Sequence, residues 1–217
     1  MPLRSYSQMF REVKKSRFLA LQSATLALTT YIDWTLVPYV TKLEGTYLPV
    51  FMISFFMLMG ALDGFVQPLF RKIKLYNIYL FTIALDILQL GSYVLIRQSE
   101  HLFTYVILSI FTIQGITFEI ARVHTVDFMQ DESVSLKDYL MIRSFMISTA
   151  IVTGGLSAMS FDSLHLPLST ILIYLSLLGM IGILLQIKLY AIFKRKICAN
   201  EIEIQKEKRD LIEKFKG

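Results

Sequence analysis

Acidic and amide side chains occur inside long apolar stretches of this sequence, at Asp33, Asp86, Gln89, Gln114 and Glu119. Such groups are costly inside a membrane, so they usually face the interior of a protein or a water-filled cavity. There they often mark the path of an ion, a proton or a polar substrate. We therefore assign these five residues to a candidate pathway for a substrate or for protons.

Asp33 and Asp86 are the least easily explained of the five. Thr29 precedes Asp33 by one helical turn, and Thr82 precedes Asp86 by the same interval. Each carboxylate therefore extends a polar stripe along one face of a helix. A protonated Asp86 would be able to carry a proton. The alternative is that these carboxylates accept hydrogen bonds inside a helix bundle and only hold helices together.

The sequence does not indicate catalytic chemistry, and we expect neither an enzyme nor a bound cofactor. The patterns HExxH, GxSxG and GxGxxG, a P-loop and paired CxxC motifs do not occur in it. The histidines His101, His124 and His165 fall in different connections, and the single cysteine is Cys198. We therefore expect no metal site.

The segments that carry these residues are long and apolar. Apolar residues make up 54% of the 217 residues and charged residues 18%, and the mean hydropathy is +0.55. A helix that crosses a bilayer needs about 20 apolar residues. Six stretches meet this requirement, at 18–40, 47–70, 76–96, 102–122, 139–161 and 168–193. The sequence therefore predicts an all-α integral membrane protein with six transmembrane helices.

Basic residues indicate how these helices are oriented. Of the 22 Lys and Arg residues, 20 lie in the N-terminal segment, the second and fourth connections and the C-terminal tail, or in the ends of the spans that border them. The other three connections contain only Lys42 and Arg97. Because cytoplasmic loops are enriched in Lys and Arg, we expect both termini to be cytoplasmic. Topology then accounts for the net charge of +5, and we expect no nucleic-acid partner.

Three regions follow from this organisation. Residues 1–17 form a basic cytoplasmic N-terminal segment, residues 18–193 form the six-helix transmembrane bundle, and residues 194–217 form a charged cytoplasmic C-terminal helix. In this last region opposite charges lie four residues apart, as at Arg209 and Glu213, which supports a helix. This helix either extends the sixth span into solvent or docks a partner.

The arrangement resembles one six-helix half of a transporter of the major facilitator superfamily, over about residues 10–193. Asp33 followed by Pro38 is similar to the pattern in the first helix of that family. The pair Gln114–Gly115 is similar to the end of a motif in its fourth helix, with Phe111 at the position of the motif's arginine.

A second motif lies between the predicted second and third spans. Gly60 and Asp63, followed by Arg71 and Lys72, resemble the loop motif that connects these helices in the family. The resemblance implies that these four residues form a gating loop.

The resemblance also implies a function. In the family, the substrate lies between two six-helix bundles, near the middle of the membrane. We therefore expect a half-transporter in a lipid bilayer, in the inner membrane of a bacterium, for a small-molecule substrate and with possible proton coupling. Its single bundle would pair with a second copy of itself or with another membrane protein.

The alternative is a non-transporting subunit, or an assembly or scaffold factor of a larger membrane complex. Phe111 in place of the arginine, the imperfect loop motif and the single bundle favour this alternative.

The charge distribution makes a prediction about topology. With Cys198 replaced by serine, a cysteine introduced at Ser99 should react with a membrane-impermeant thiol reagent added outside intact cells, because residue 99 lies in a non-cytoplasmic connection. Labelling from the cytoplasmic side alone would show that the orientation is reversed.

Overall fold

The computed structural model describes residues 17–44, 75–97, 99–131 and 136–216, which are helical except at short connections. The helices are α1 (Arg17–Glu44), α2 (Leu75–Ser92), α3 (Glu100–Asp131), α4 (Leu136–Ser163) and α5 (Leu168–Lys216). A short 3-10 helix, Tyr93–Arg97, continues α2. These ranges contain no strand, so the described part of the chain is all-α.

Three of these helices contain a segment that is long and apolar enough to cross a membrane, at Asn77–Ile96, Lys137–Ser163 and Leu168–Arg195. The same helices expose large apolar side chains, among them Leu80, Leu88, Val152, Met159, Ile173 and Leu184. Because exposed apolar surface of this kind suits lipid better than water, the chain is interpreted as a membrane protein.

The sequence predicts six spans, whereas three helices of the described part meet the criterion of length and hydropathy. The predicted spans at 18–40 and 102–122 lie within α1 and α3, which have 28 and 32 residues. These helices carry more polar residues, and several of them, such as Thr25, Thr35 and Gln114, are buried in the bundle. The predicted span at 47–70 lies outside the described residues.

Helix α1 packs against both α4 and α5, while α2 packs against α3 and α5. The contact between α1 and α4 is close because Gly154 has no side chain. A Cβ atom added there would lie 2.9 Å from the backbone oxygen of Tyr31 and 3.2 Å from the backbone nitrogen of Thr35. The Tyr31 hydroxyl also donates a hydrogen bond to Ser157 Oγ at 2.8 Å.

A tight turn connects α4 to α5. The backbone N–H of Leu166 donates to the Phe161 carbonyl, and that of His165 donates to the Asp162 carbonyl, both at 3.0 Å. This is the pattern of a Schellman cap, which places the residue after the helix in the left-handed conformation. His165 occupies that position with φ of 52°. Lys42 at the end of α1 pairs with Asp162 beside this turn at 2.5 Å.

The last helix continues without a break through the predicted boundary at residue 194. Helix α5 has 49 residues and includes both the apolar segment and the charged C-terminal region. The N-terminal segment at 1–16 lies outside the described residues.

Gly154 and Gly155 form a matched pair for a test of the α1–α4 contact. We expect Gly154→Ala to lower the free energy of unfolding by about 1–3 kcal/mol, because the added methyl group meets backbone atoms that have little freedom to move. Thermal unfolding of the protein in detergent micelles would measure the change.

Gly155→Ala is the control, since a Cβ atom at residue 155 meets nothing within 4 Å. This variant should be neutral or slightly stabilising, as expected for Gly→Ala in a helix. Equal effects of the two substitutions would contradict the close contact at Gly154.

Candidate functional site

Two apolar clusters fill the described bundle. The Phe193 cluster consists of Phe18, Leu19, Ile78, Tyr79, Ala121, Tyr139, Ile142, Leu189 and Phe193. The Leu36 cluster consists of Ile32, Leu36, Val40, Tyr93, Phe103, Ile107, Leu108, Ile171, Leu172 and Leu175. Along α2, α3 and α5, buried polar residues lie between the positions that belong to these two clusters.

We use the name polar layer for four of these residues, Asp86, Gln89, Gln114 and Gln186, together with Asp33 of α1. Asp33 is included because it accepts a hydrogen bond from Gln89. Four helices supply its members: α1 gives Asp33, α2 gives Asp86 and Gln89, α3 gives Gln114, and α5 gives Gln186. The layer therefore depends on the packing of the whole bundle and not on one helix.

Asp86 lies at the centre of the polar layer. The amide nitrogen of Gln114 donates to its Oδ1 atom at 2.8 Å, and that of Gln186 donates to its Oδ2 atom at 2.6 Å. The exposed fractions are 8% for Asp86, 1% for Gln114 and 0% for Gln186. Both carboxylate oxygens are thus held inside the protein by amides from two neighbouring helices.

Gln89 joins Asp33 to this centre. Its amide nitrogen donates to Asp33 Oδ1 at 3.2 Å and to the Tyr93 hydroxyl at 3.4 Å. Its amide oxygen accepts a hydrogen bond from Gln114 at 3.0 Å. A continuous chain of hydrogen bonds therefore runs from Asp33 through Gln89 and Gln114 to Asp86.

The electrostatic balance of the polar layer is unusual. Every hydrogen bond that Asp33 or Asp86 accepts from a described residue comes from a neutral glutamine amide. The described cations lie elsewhere: Lys42 pairs with Asp162 at the helix ends, Arg143 borders a small cavity beside Gln22, and the side chains of Lys137, Lys188, Lys194 and Arg195 are exposed. Ionised carboxylates in a membrane interior need a compensating positive charge. The layer is therefore suited to take up a proton or a cation.

Two amide oxygens of the polar layer are left without a donor. Gln114 Oε1 and Gln186 Oε1 are buried and have no hydrogen-bond partner among the described residues. An ionised carboxylate only accepts hydrogen bonds, so both glutamines direct their nitrogen atoms toward Asp86 and their oxygens away. A buried unsatisfied polar atom costs about 1–3 kcal/mol, so the layer would be relieved by an added donor or cation.

A second polar contact lies closer to the Phe193 cluster. The amide nitrogen of Gln22 lies within 3.2–3.4 Å of the side-chain oxygens of Tyr79, Thr125 and Tyr139. It connects α1 to α2, α3 and α4, and it carries no charge. We regard it as a structural contact between helices.

The residues that the sequence assigns to a pathway or a gating loop fall into three groups. Asp33, Asp86, Gln89 and Gln114, which the sequence assigns to a pathway, come together in the polar layer. Glu119 lies in α3, and its side chain falls outside the described part. The proposed gating-loop residues Gly60, Asp63, Arg71 and Lys72 also lie outside the described residues.

The sequence analysis missed Gln186 and Tyr93. Gln186 lies in the most apolar of the candidate membrane segments, where an isolated amide is itself a signal of a polar contact inside the bundle. Tyr93 offers no such signal, because tyrosine is common near the ends of membrane helices. In addition, hydroxyls such as those of Thr25, Thr29 and Thr82 bond to carbonyls of their own helices, as isolated threonines often do.

The described residues include no group of three or more His, Cys, Asp or Glu side chains that is suited to a metal ion. No protein-family model, curated protein or solved structure matches the chain. The function is therefore inferred from the polar layer and its surroundings.

The unpaired amide oxygens lead to a prediction about stability. Asp86→Asn should leave the melting temperature unchanged or raise it, because the new amide removes a buried carboxylate and supplies a donor for Gln114 or Gln186. Asp86→Ala should lower the free energy of unfolding by about 1–3 kcal/mol, because the two glutamines lose their acceptor. Thermal unfolding of both variants in the same detergent would test this. Equal destabilisation by the two substitutions would contradict the proposed hydrogen-bond pattern.

Proposed function

We infer that this chain is a membrane transport protein, with six spans, cytoplasmic termini and an arrangement like one half of a major facilitator superfamily transporter. A second six-helix bundle, from another copy or another membrane protein, would complete the path. The proposal extends to a location in the inner membrane of a bacterium. The buried polar layer is the observation that carries this proposal.

The polar layer supports transport because of its composition and its position. A layer that served only to hold helices together would need only neutral amides and hydroxyls, as at Gln22. Carboxylates inside a membrane bundle are expensive and are commonly retained where they take up and release charge. Asp33 and Asp86 lie on different helices, so a change in their charge acts on the contacts between α1, α2, α3 and α5.

The mechanism follows from the hydrogen-bonding capacity of each partner. When Asp86 is ionised, it accepts from Gln114 and Gln186. When it gains a proton, it becomes a donor and is able to bond an amide oxygen. Charging and discharging Asp86 therefore changes which atoms of α3 and α5 face α2. In a transporter, this change would favour one packing of the helices over another.

A groove between α1 and α4 supports the pairing of two bundles. It has a volume of about 310 Å³, and Ala24, Ala27, Tyr31, Thr149 and Thr153 are among the residues that line it. Drug-sized ligands occupy pockets of about 300–1,000 Å³, so a second bundle placed over this groove would enclose space for a small molecule. Small side chains and hydroxyls on its walls suit both close helix packing and a polar substrate.

Transport is tested with proteoliposomes and a metabolite extract. Under an inwardly directed proton gradient, we expect the protein to accumulate at least one metabolite about tenfold or more, as measured by mass spectrometry of the vesicle contents. Asp86→Asn should abolish this accumulation, because it keeps the shape of the side chain and removes its titration. Asp162→Asn is the control, since Asp162 is exposed in the last turn of α4.

The second candidate is a non-transporting membrane subunit. Phe111 favours it, because this residue packs against the Leu36 cluster where the related motif has an arginine. A subunit should purify from its native membrane with a partner in fixed stoichiometry. Such a partner, together with a failure of the wild-type protein to accumulate any metabolite, would favour this function over transport.

A further inference from the structure

A small cavity lies beside Asp86, with oxygen-bearing side chains on one part of its wall and Ile32, Leu90, Gly179 and Gly182 on the rest. The cavity has a volume of about 10 Å³, and its polar walls are formed by Thr29, Asp86, Gln89 and Tyr93. A cavity that holds one water molecule has a volume of about 10–15 Å³. The cavity is thus close to the size of a single water molecule or a single dehydrated ion.

Each of these four side chains has an oxygen atom with a lone pair that is left for a further contact. Thr29 uses its hydroxyl hydrogen on the carbonyl of Thr25, so its oxygen is able to accept. Each oxygen of Asp86 accepts one amide, and the carboxylate has about four acceptor positions. The Gln89 amide oxygen and the Tyr93 hydroxyl each accept one hydrogen bond, and each oxygen has two lone pairs.

The negative charge of the carboxylates beside the cavity also favours a cation. Asp86 lines the cavity, and Gln89 connects it to Asp33, so the local charge is negative when either carboxylate is ionised. Carboxylate, carbonyl and hydroxyl oxygens are the ligands that hard cations prefer. A cation in this cavity would be bound by such oxygens and would compensate the buried charge.

The size of the cavity selects among cations. Ca²⁺ takes six to eight oxygen ligands, and Mg²⁺ usually keeps several of its waters. The cavity offers four oxygen-bearing side chains, fewer ligands than Ca²⁺ takes, and too little space for an Mg²⁺ ion that keeps several waters. A dehydrated monovalent ion fits the space, and its charge matches that of one carboxylate.

Two amide oxygens close to Asp86 also lack a donor. Gln114 and Gln186 are almost completely buried, their nitrogens bond to Asp86, and each keeps an oxygen without a partner among the described residues. These two glutamines do not line the cavity, so the ligands of a cation there would come from Thr29, Asp86, Gln89 and Tyr93.

We propose that the polar layer binds one sodium ion in the cavity lined by Thr29, Asp86, Gln89 and Tyr93. This inference rests on the proposed function and deepens it by naming the ion that the site takes up. Sodium binding is nevertheless measurable without transport.

The test uses the full chain in detergent micelles, with NaCl titrated against choline chloride at constant ionic strength. Trp34 is the single tryptophan of the chain; it follows Asp33 in α1 and its Cβ atom faces Gly154 of α4, so its fluorescence reports on movement of α1 against α4. We expect a saturable change in Trp34 emission and a rise in melting temperature with sodium. Potassium at the same concentrations should produce neither change.

Thr29→Val provides the discriminating variant, because it keeps the shape of the side chain and removes one oxygen ligand. It should raise the sodium concentration for half-saturation about tenfold, which corresponds to the loss of one modest interaction. Thr29→Ser restores the hydroxyl and should recover binding. Thr25→Val is the matched control, since Thr25 is buried one turn earlier and donates to the carbonyl of Leu21.

Several results would overturn the inference. They are no saturable response to sodium, an equal response to potassium or choline, and equal shifts in Thr29→Val and Thr25→Val. Asp86→Asn should abolish the response, and Asp162→Asn should retain it; a sodium response that survives in Asp86→Asn also overturns the proposal.

The outcomes for binding and transport are distinguishable. Proton-driven accumulation without a sodium response overturns the sodium site and leaves the transport proposal standing. A sodium response that depends on Thr29 and Asp86, without accumulation of any metabolite under either an inward proton gradient or an inward sodium gradient, supports the site and favours a non-transporting subunit that holds a structural ion.

Discussion

An ionised carboxylate in the interior of a membrane bundle only accepts hydrogen bonds, and much of the described structure around Asp86 follows from that constraint. Glutamines on α3 and α5 turn their nitrogens toward it, and this choice fixes the direction of both amides. The apolar clusters lie on either side of the layer, and Asp86 is 8% exposed. Because the carboxylate is largely shielded from solvent, a change in its charge would act on the contacts between α2, α3 and α5.

Much of the helical arrangement was predictable from the sequence because hydrophobic length is a strong signal. Five of the six predicted spans fall within described helices, and the sixth lies outside the described residues. The short connection between α4 and α5 around His165 was predicted as well. The ends of the helices were less predictable. Helix α3 extends to Asp131 and α5 to Lys216, because polar and charged residues continue a helix as readily as apolar ones once it is begun. Hydropathy therefore locates a membrane segment better than it locates the end of its helix.

Four of the five members of the polar layer were predictable from the sequence, but the contacts between them were not. Asp86 and Gln89 share a helix face, so their proximity follows from spacing alone. Their contact with Gln114 on α3 and with Gln186 on α5 depends on how the helices rotate and pack, which one sequence does not encode in any local pattern. For the same reason, the sequence offered no means of choosing between a titrating carboxylate and one held by neutral amides. The structure shows the amide partners of Asp86, the unpaired amide oxygens and the cavity. Together they identify the atoms that a proton or an ion would meet at Asp86.

The unbroken α5 has a mechanical consequence. A helix rises about 1.5 Å per residue, so about 45 Å of it separates Gln186, which touches Asp86, from the end near Lys216. A tilt of about 5° at the polar layer would move that end sideways by about 4 Å, on the rise given above. The helix therefore acts as a lever arm that enlarges a small rearrangement around one carboxylate into a displacement that a protein bound at the far end would sense.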